Sequence, residues 1–292
     1  MARVDVRKTY KLYIGGAFPR SESGHSYEVQ DSRGRFVANA ALASRKDVRD
    51  AVVAARKAFG GWAGRTAYNR GQVVYRIAEV MEDRRPQFVD AVRQSEGGTA
   101  AQAGRQVDAA IDRLVWYAGW ADKITQVVGS QNPVAGPYFN LSSPEPTGVV
   151  GLLAPQESSL LGLVSVVAPV VATGNVAVAV SSYARPLPAV TFAEVLATSD
   201  VPAGVVNILT GDALALGPWL AAHMDVNAID LTGLAGLADG AETATALEVA
   251  AADNLKRVRR APATEPDWLA DPGLDRMTDV LELKTVWHPI GV

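Results

Sequence analysis

Two hydrophobic rhythms divide the chain. In the first half, apolar residues recur at helical spacing. Val48, Ala51, Val52, Ala55 and Phe59 share one face behind Ser44, and Ser44 with Asp47 makes a capping-box-like start. The Gly60-Gly61 pair is expected to stop that helix. Further helical stripes run over about 68–84 (Val73, Val74, Ile77, Val80, Met81), 86–95 and 102–123 (Val107, Ile111, Leu114, Val115, Ala118). Ahead of them, residues 10–18 alternate and read as a strand entering a Gly15-Gly16 turn.

The rhythm changes after Lys123. Residues 124–128 and 138–141 read as two strands of a hairpin joined through Gly129 and Asn132-Pro133. Beyond Pro146, continuous apolar strands (148–154, 176–180, 205–209, 228–231) alternate with helices (160–172, 187–198, 213–223, 239–256). Strands apolar on both faces need cover on both faces. The expected fold class is therefore α/β: a Rossmann-like parallel sheet flanked by helices, preceded by the N-terminal helices. Residues 261–276 read as a linker. Residues 281–287 alternate again, with Leu281, Leu283, Thr285 and Trp287 on one face and Glu282 and Lys284 on the other. No hairpin partner adjoins this strand, so it is expected to pair with a distant strand or another chain.

Composition narrows the function. With 48% hydrophobic and 20% charged residues and a net charge of −3, the 292-residue chain is neither a disordered polymer nor a global basic surface for nucleic acid or anionic membrane. Residues 160–180 carry no charge and match the ~20 residues a membrane span needs. Pro169 and the turn at Thr173-Gly174-Asn175 favour a buried helix, a turn and a buried strand instead, so no membrane partner is expected. Cysteine is absent, which removes disulfides, thiolate metal sites and a thiol nucleophile. His25, His223 and His288 lie far apart and make no ligand spacing. The first residues mix acid with base and lack the apolar core of a secretory signal, so a cytoplasmic location is expected.

Isolated candidates have plain readings. Ser158 and Ser159 precede Leu160 as helix N-caps, and no histidine is near to activate them. The basic run 256–260 reads as a solvated helix end. Glu82 and Asp83 are adjacent on an exposed helix face and do not converge. The Thr210-Gly211-Asp212 turn needs its glycine and leads into a helix N-terminus that could approach a phosphate.

Taken in order, several segments resemble the aldehyde dehydrogenase superfamily. These are Ala58-Phe-Gly-Gly-Trp62, the stretch from Val115 to Ile124, Pro144-Glu-Pro-Thr-Gly-Val-Val-Gly151, Ala168-Pro-Val-Val-Ala-Thr-Gly-Asn175, the stretch from Val201 to Gly211, Leu231-Thr-Gly233, Asn254-Leu-Lys-Arg-Val258, and Leu283-Lys-Thr-Val-Trp287. The resemblance implies a cofactor-binding domain over 1–123 and 145–260. It also implies an oligomerisation arm and terminal strand over 124–144 and 277–292. A catalytic domain carrying a cysteine nucleophile belongs between the Asn254–Val258 element and the terminal strand; here only the 261–276 linker stands there.

Other positions depart from the family pattern. Gln156 and Glu157 stand where the family has an aromatic residue and the oxyanion-binding asparagine, and a carboxylate there repels developing negative charge. Val180 stands at the ribose-binding lysine, and Tyr183 follows Ser182 where the family has Ser-Glu. Leu234-Ala235 replace small polar residues, and Ala261-Pro262 fall where the general-base glutamate belongs. The resemblance, with these losses, implies a catalytically inactive aldehyde dehydrogenase-like subunit. It would be a structural or regulatory partner of a full-length aldehyde dehydrogenase or of itself, gripping through Tyr138, Phe139, Leu281, Leu283, Thr285 and Trp287. No bound cofactor is expected, with Ser182, Gly211 and Gly233 as vestigial NAD(P) contacts. The alternative is an NAD(P)-binding oxidoreductase with residual or altered activity.

Overall fold

The computed structural model describes residues 8–290. The N-terminal residues considered for a signal lie outside them. Strand β1 (Thr9–Tyr10) pairs in parallel with β3 (Phe36–Ala41), which also pairs antiparallel with β2 (Ser26–Gln30). The expected strand over 10–18 is shorter than its alternation suggests. After β1 the chain makes two isolated bridges, Tyr13 to Ile208 and Ile14 to Ala17, the second closing a turn at Gly15 and Gly16, both at positive φ. Leu12 and Tyr13 are drawn into the core there, which ends the regular pairing.

Four helices follow: α1 (Arg45–Ala63), α2 (Ala67–Asp83), α3 (Arg85–Glu96) and α4 (Ala100–Trp120). Ser44 and Asp47 form the expected capping box. Gly60-Gly61 does not stop α1. The helix runs on to Ala63 because Trp62 is buried and its indole Nε1 donates to the carbonyl of Val171 at 3.0 Å, a tertiary anchor that outweighs the glycines. The expected strand over 124–128 is instead a short helix, α5 (Ile124–Val128). Tyr117, Ala121 and Ile124 continue the buried stripe of α4 at helical spacing, so packing overrides the β-branched composition. The hairpin survives with its first strand displaced to β4 (Ser130–Asn132), antiparallel to β5 (Tyr138–Pro146).

The alternating region forms β6 (Val149–Leu153), α6 (Leu161–Ala172), β7 (Val176–Val180), α7 (Leu187–Leu196), β8 (Val206–Leu209), α8 (Ala213–Ala221), β9 (Ala228–Asp230), α9 (Gly240–Ala252) and β10 (Arg257–Arg259). These five strands make one parallel sheet in the order β10-β9-β6-β7-β8. Strands β6 and β7 are buried along their whole length, as is α6. That accounts for the uncharged 160–180 stretch as core; among the described residues no helix is long and apolar enough to cross a membrane. The basic run 256–260 is not a helix end. Leu255 adopts φ 58°, closing α9, and the chain turns into β10 beside β9.

Residues 260–280 fold back against α6 and include the one-turn α10 (Asp275–Thr278), which packs beside it. The last strand, β11 (Leu281–Pro289), pairs antiparallel with β5 along its entire length, which answers the expectation of a distant partner. Asn175 ties its start to the large sheet. Its Oδ1 accepts the Gly148 N–H at 2.7 Å while its Nδ2 donates to the Val280 carbonyl at 2.9 Å.

Candidate functional site at the carboxyl edge of the parallel sheet

In the sheet order, β7 and β8 lie to one side of β6, and β9 and β10 to the other. The topological switch point therefore falls between β6 and β9, and a ligand crevice is expected outside the carboxyl ends of those strands. Loops 154–160, 181–186, 210–212 and 231–239 gather there, and they carry Ser182, Gly211 and Gly233.

The loop after β6 knits its neighbours together. Gln156 Nε2 donates to the Ala154 carbonyl at 2.7 Å, and its Oε1 accepts the Tyr183 N–H at 3.0 Å. The Ser182 hydroxyl donates to the Gln156 carbonyl at 2.8 Å, so it is consumed internally. Arg185 donates to the Glu157 carbonyl at 2.6 Å and lies 2.6 Å from its carboxylate. Tyr183 stacks on Tyr27 at 4.6 Å. Val180 is fully buried, and its carbonyl accepts the Ala154 N–H at 2.9 Å. An apolar side chain suits that place, whereas a lysine there would need an outlet for its charge.

Gly233 sits in a 3-10 turn (Thr232–Leu234) packed onto the end of β6. A Cβ at Gly233 would lie 2.2 Å from the Ala154 oxygen and 2.5 Å from the Leu153 oxygen. The backbone of the turn thus fills the switch point. Gly211, at φ 156°, serves the strand-to-helix turn. Beside it the Thr210 carbonyl accepts the Ala43 N–H at 2.9 Å, and Asp212 caps α8 through the Leu214 N–H at 2.9 Å. The structure brings all three glycine and serine positions to one edge, and the Ser182 hydroxyl is turned to the Gln156 carbonyl.

Backbone donors of the loop ahead of α6 are held by carboxylates. Glu265 accepts the N–H of Ser158 at 2.8 Å and of Glu157 at 3.0 Å, and Glu96 accepts both the N–H of Ser159 at 2.7 Å and its hydroxyl at 2.6 Å. Neither serine is the N-cap, which is Leu160: the Ser158 hydroxyl accepts the first-turn Gly162 N–H at 3.0 Å from two residues ahead of it, and Glu96 claims the Ser159 hydroxyl. Burial holds the Glu96 carboxyl above its ordinary range, and the bonds from Ser159 only partly offset this. A helix start of this kind would suit a phosphate. Here the loop donors just ahead of it, the N–H groups of residues 157–159, are bonded to two carboxylates.

Two buried arginines lock residues 260–280 in place. Arg276 pairs with Asp230 at the end of β9, donates to the Thr232 hydroxyl and lies 4.9 Å over the Trp268 ring. Arg113 of α4 donates to the carbonyls of Trp268 at 2.7 Å and Ala270 at 3.0 Å and to the Ser165 hydroxyl at 3.2 Å. Beside it, burial raises the Tyr117 hydroxyl to about 12. Sequence reasoning missed Glu96, Glu265, Trp268, Arg113 and Arg276. The only local signal was a tryptophan within an otherwise linker-like stretch. Among the described residues no group of three or more histidines and carboxylates gathers for a metal.

Strand order defines an open α/β protein with a Rossmann-like parallel sheet flanked by helices. Known proteins carry this further. The aldehyde dehydrogenase family model matches residues 18–260, and the chain belongs to that family. It is 34% identical over 236 residues to the human cytosolic 10-formyltetrahydrofolate dehydrogenase, covering 78% of this chain and 26% of that one. It is 33% identical over 251 residues to an aldehyde dehydrogenase of Alternaria alternata, covering 85% of this chain and 49% of the other. Among solved structures, HpcC from Thermus thermophilus superposes with TM-score 0.79 at 28% identity, over 86% of this chain and 47% of that one. The aldehyde dehydrogenase of Bacillus cereus in its NAD+ complex gives 0.78 at 25% identity, over 86% and 50%. The chain spans about a quarter of the human relative and about half of the others.

Proposed function

We propose that this chain is a non-catalytic aldehyde dehydrogenase-family subunit. It acts as a structural or regulatory partner that assembles with a full-length aldehyde dehydrogenase or with itself. One observation carries the reading: residues 260–280 lead directly from β10 to β11, and from that connection Glu265, with Glu96 of α3, occupies the backbone donors of residues 157–159 in the loop ahead of α6. With no cysteine in the chain, a thiol attack on an aldehyde has no nucleophile. Ser158 is engaged with the Gly162 N–H and Ser159 with a carboxylate, so neither is an activated substitute. The arm formed by β4, β5 and β11 meanwhile exposes Tyr138, Phe139, Leu283, Val286 and Trp287, an apolar set that suits a protein partner.

The test is co-expression with a full-length aldehyde dehydrogenase, followed by size-exclusion chromatography with light scattering and an aldehyde oxidation assay on the isolated chain. A mixed or self-assembled oligomer without turnover is expected. Aldehyde oxidation by the pure chain overturns the reading.

A second reading draws on the solved neighbours described as NAD+ complexes: the chain retains NAD(P) and an altered oxidoreductase activity. Titration calorimetry with NAD+ and NADP+ separates the two. Saturable binding supports the second, and no heat at millimolar cofactor removes it.

A further inference from the structure

The arm is a three-stranded antiparallel sheet in the order β11-β5-β4, so β11 is an edge. Apart from Leu281 at its start, every residue of β11 is exposed. A nine-residue, uncovered edge strand with apolar side chains is a template for further pairing.

Its hydrogen-bonding parity is determined. Thr147 N–H donates to the Val280 carbonyl, and Ile290 N–H donates to the Pro137 carbonyl. Even-numbered residues of β11 therefore bond to β5. The register places Leu281 opposite Pro146 and Leu283 opposite Pro144, and proline has no N–H to give. The backbone groups of Leu281, Leu283, Thr285, Trp287 and Pro289 consequently point to the free edge.

We propose that two copies of this chain join through β11, edge to edge and antiparallel, about a two-fold axis at Thr285. This rests on the reading of the arm as an assembly element and specifies its partner and register. Three strands from each copy then form one continuous sheet. Thr285 faces Thr285 of the second copy, Leu283 faces Trp287, and Leu281 faces Pro289. Each free N–H of Leu281, Leu283, Thr285 and Trp287 meets a carbonyl, and Pro289, which has no N–H, supplies only its carbonyl. On the same sheet face Trp287 already meets Tyr138 edge-on at 5.7 Å, so the Leu283–Trp287 contacts extend an existing apolar cluster. On the other face Glu282 stands opposite His288, and Lys284 keeps its own Glu145 at 3.2 Å.

The neighbouring two-fold registers are worse. Centring the axis at residue 284 sets Lys284 against Lys284, and centring it at 286 sets Lys284 against His288. Like charges directly opposite disfavour the first of these, and both shifts shorten the overlap.

The chain's lack of cysteine makes the register directly testable. Thr285→Cys is expected to give a disulfide-linked dimer under mild oxidation. Leu283→Cys is not, because in this register the two sites are four residues apart, ~13 Å at ~3.3 Å per residue, against a Cα limit of ~7 Å for a disulfide. Light scattering of the native chain is expected to give twice 30.8 kDa. Thr285→Pro removes an outward N–H that β5 does not use. It should weaken the dimer by at least about tenfold in Kd while leaving the circular dichroism of the monomer native.

Three results overturn the proposal: a native monomer, a Leu283→Cys cross-link as fast as that of Thr285→Cys, or an undiminished Thr285→Pro dimer. A dimer without the Thr285→Cys cross-link refutes this register yet keeps the assembly reading. A monomer that still binds a full-length homologue refutes self-pairing alone. A monomer that binds neither removes both.

Discussion

The carboxylate of Glu265 accepts the backbone N–H of Ser158 at 2.8 Å, so a residue from the connection between β10 and β11 ties down the loop that leads into α6. The same carboxylate accepts the Trp268 indole N–H at 2.9 Å. Removing this charged acceptor leaves two loop N–H groups and the indole N–H without a partner, a loss of ~1–3 kcal/mol. Glu265→Ala should lower urea-unfolding stability by about that amount, and Glu265→Gln, which keeps an acceptor, by less. A Glu265→Ala chain as stable as the native one would show that this contact ties down nothing.

Arg276 and Asp230 form an ion pair in which each side chain is only 9% exposed. Removing one partner leaves a buried charge uncompensated, a loss of ~3–5 kcal/mol. Arg276→Met should therefore be severely destabilised in thermal and urea melts. The double change Arg276→Met with Asp230→Asn should lose less than the sum of the single changes, because both act on one pair.

Gly233 is required by close approach rather than by backbone angle. Its Cβ would collide with two carbonyl oxygens of the β6 end, at 2.2 and 2.5 Å, and backbone cannot step aside. Gly233→Ala is expected to cost at least ~3 kcal/mol through overpacking, read as lost soluble yield and a lowered Tm. Gly119, exposed in α4 with open space at its Cβ position, is the control. Gly119→Ala should stabilise by up to ~1 kcal/mol through helix propensity.

Glu96 makes stability depend on pH. Burial raises its carboxyl above the ordinary 4.5, so the folded chain holds this proton more tightly than the unfolded one. Its contribution is fully present below pH 4.5 and is lost as pH rises through the elevated folded value. Glu96→Gln keeps an acceptor for Ser159 and has no charge to bury. The stability difference between variant and native should therefore shift in favour of the variant as pH rises from about 4 to about 7, measured by urea unfolding across that range. A pH-independent difference would place the Glu96 carboxyl in its ordinary range.

Much of this protein was legible in one dimension. Runs such as Val176–Val180, short, apolar at every position and bounded by turn residues, read as strands covered on both faces, and their alternation with helices points to a parallel sheet. The period-two pattern of β11 placed Leu283, Thr285 and Trp287 on one face. The departures from the family pattern at Gln156, Glu157 and Val180 are matters of residue identity and need no coordinates. Local pattern erred where long-range packing outbid it: at α5, whose β-branched residues follow the core stripe of α4, at Gly60-Gly61, held helical by the buried Trp62, and at Ser159, taken by Glu96.

The layered architecture and the lack of a thiol follow from the residues in order, because periodicity and residue identity are local properties. Long-range packing settled the rest: residues 260–280 lie against the core rather than hang as a linker, and Glu265, more than a hundred residues from Ser158, holds the loop leading into α6. Nothing in the spacing of those residues encodes their meeting. It follows from two buried arginines, Arg113 and Arg276, whose charges and donors must find partners wherever the fold brings them.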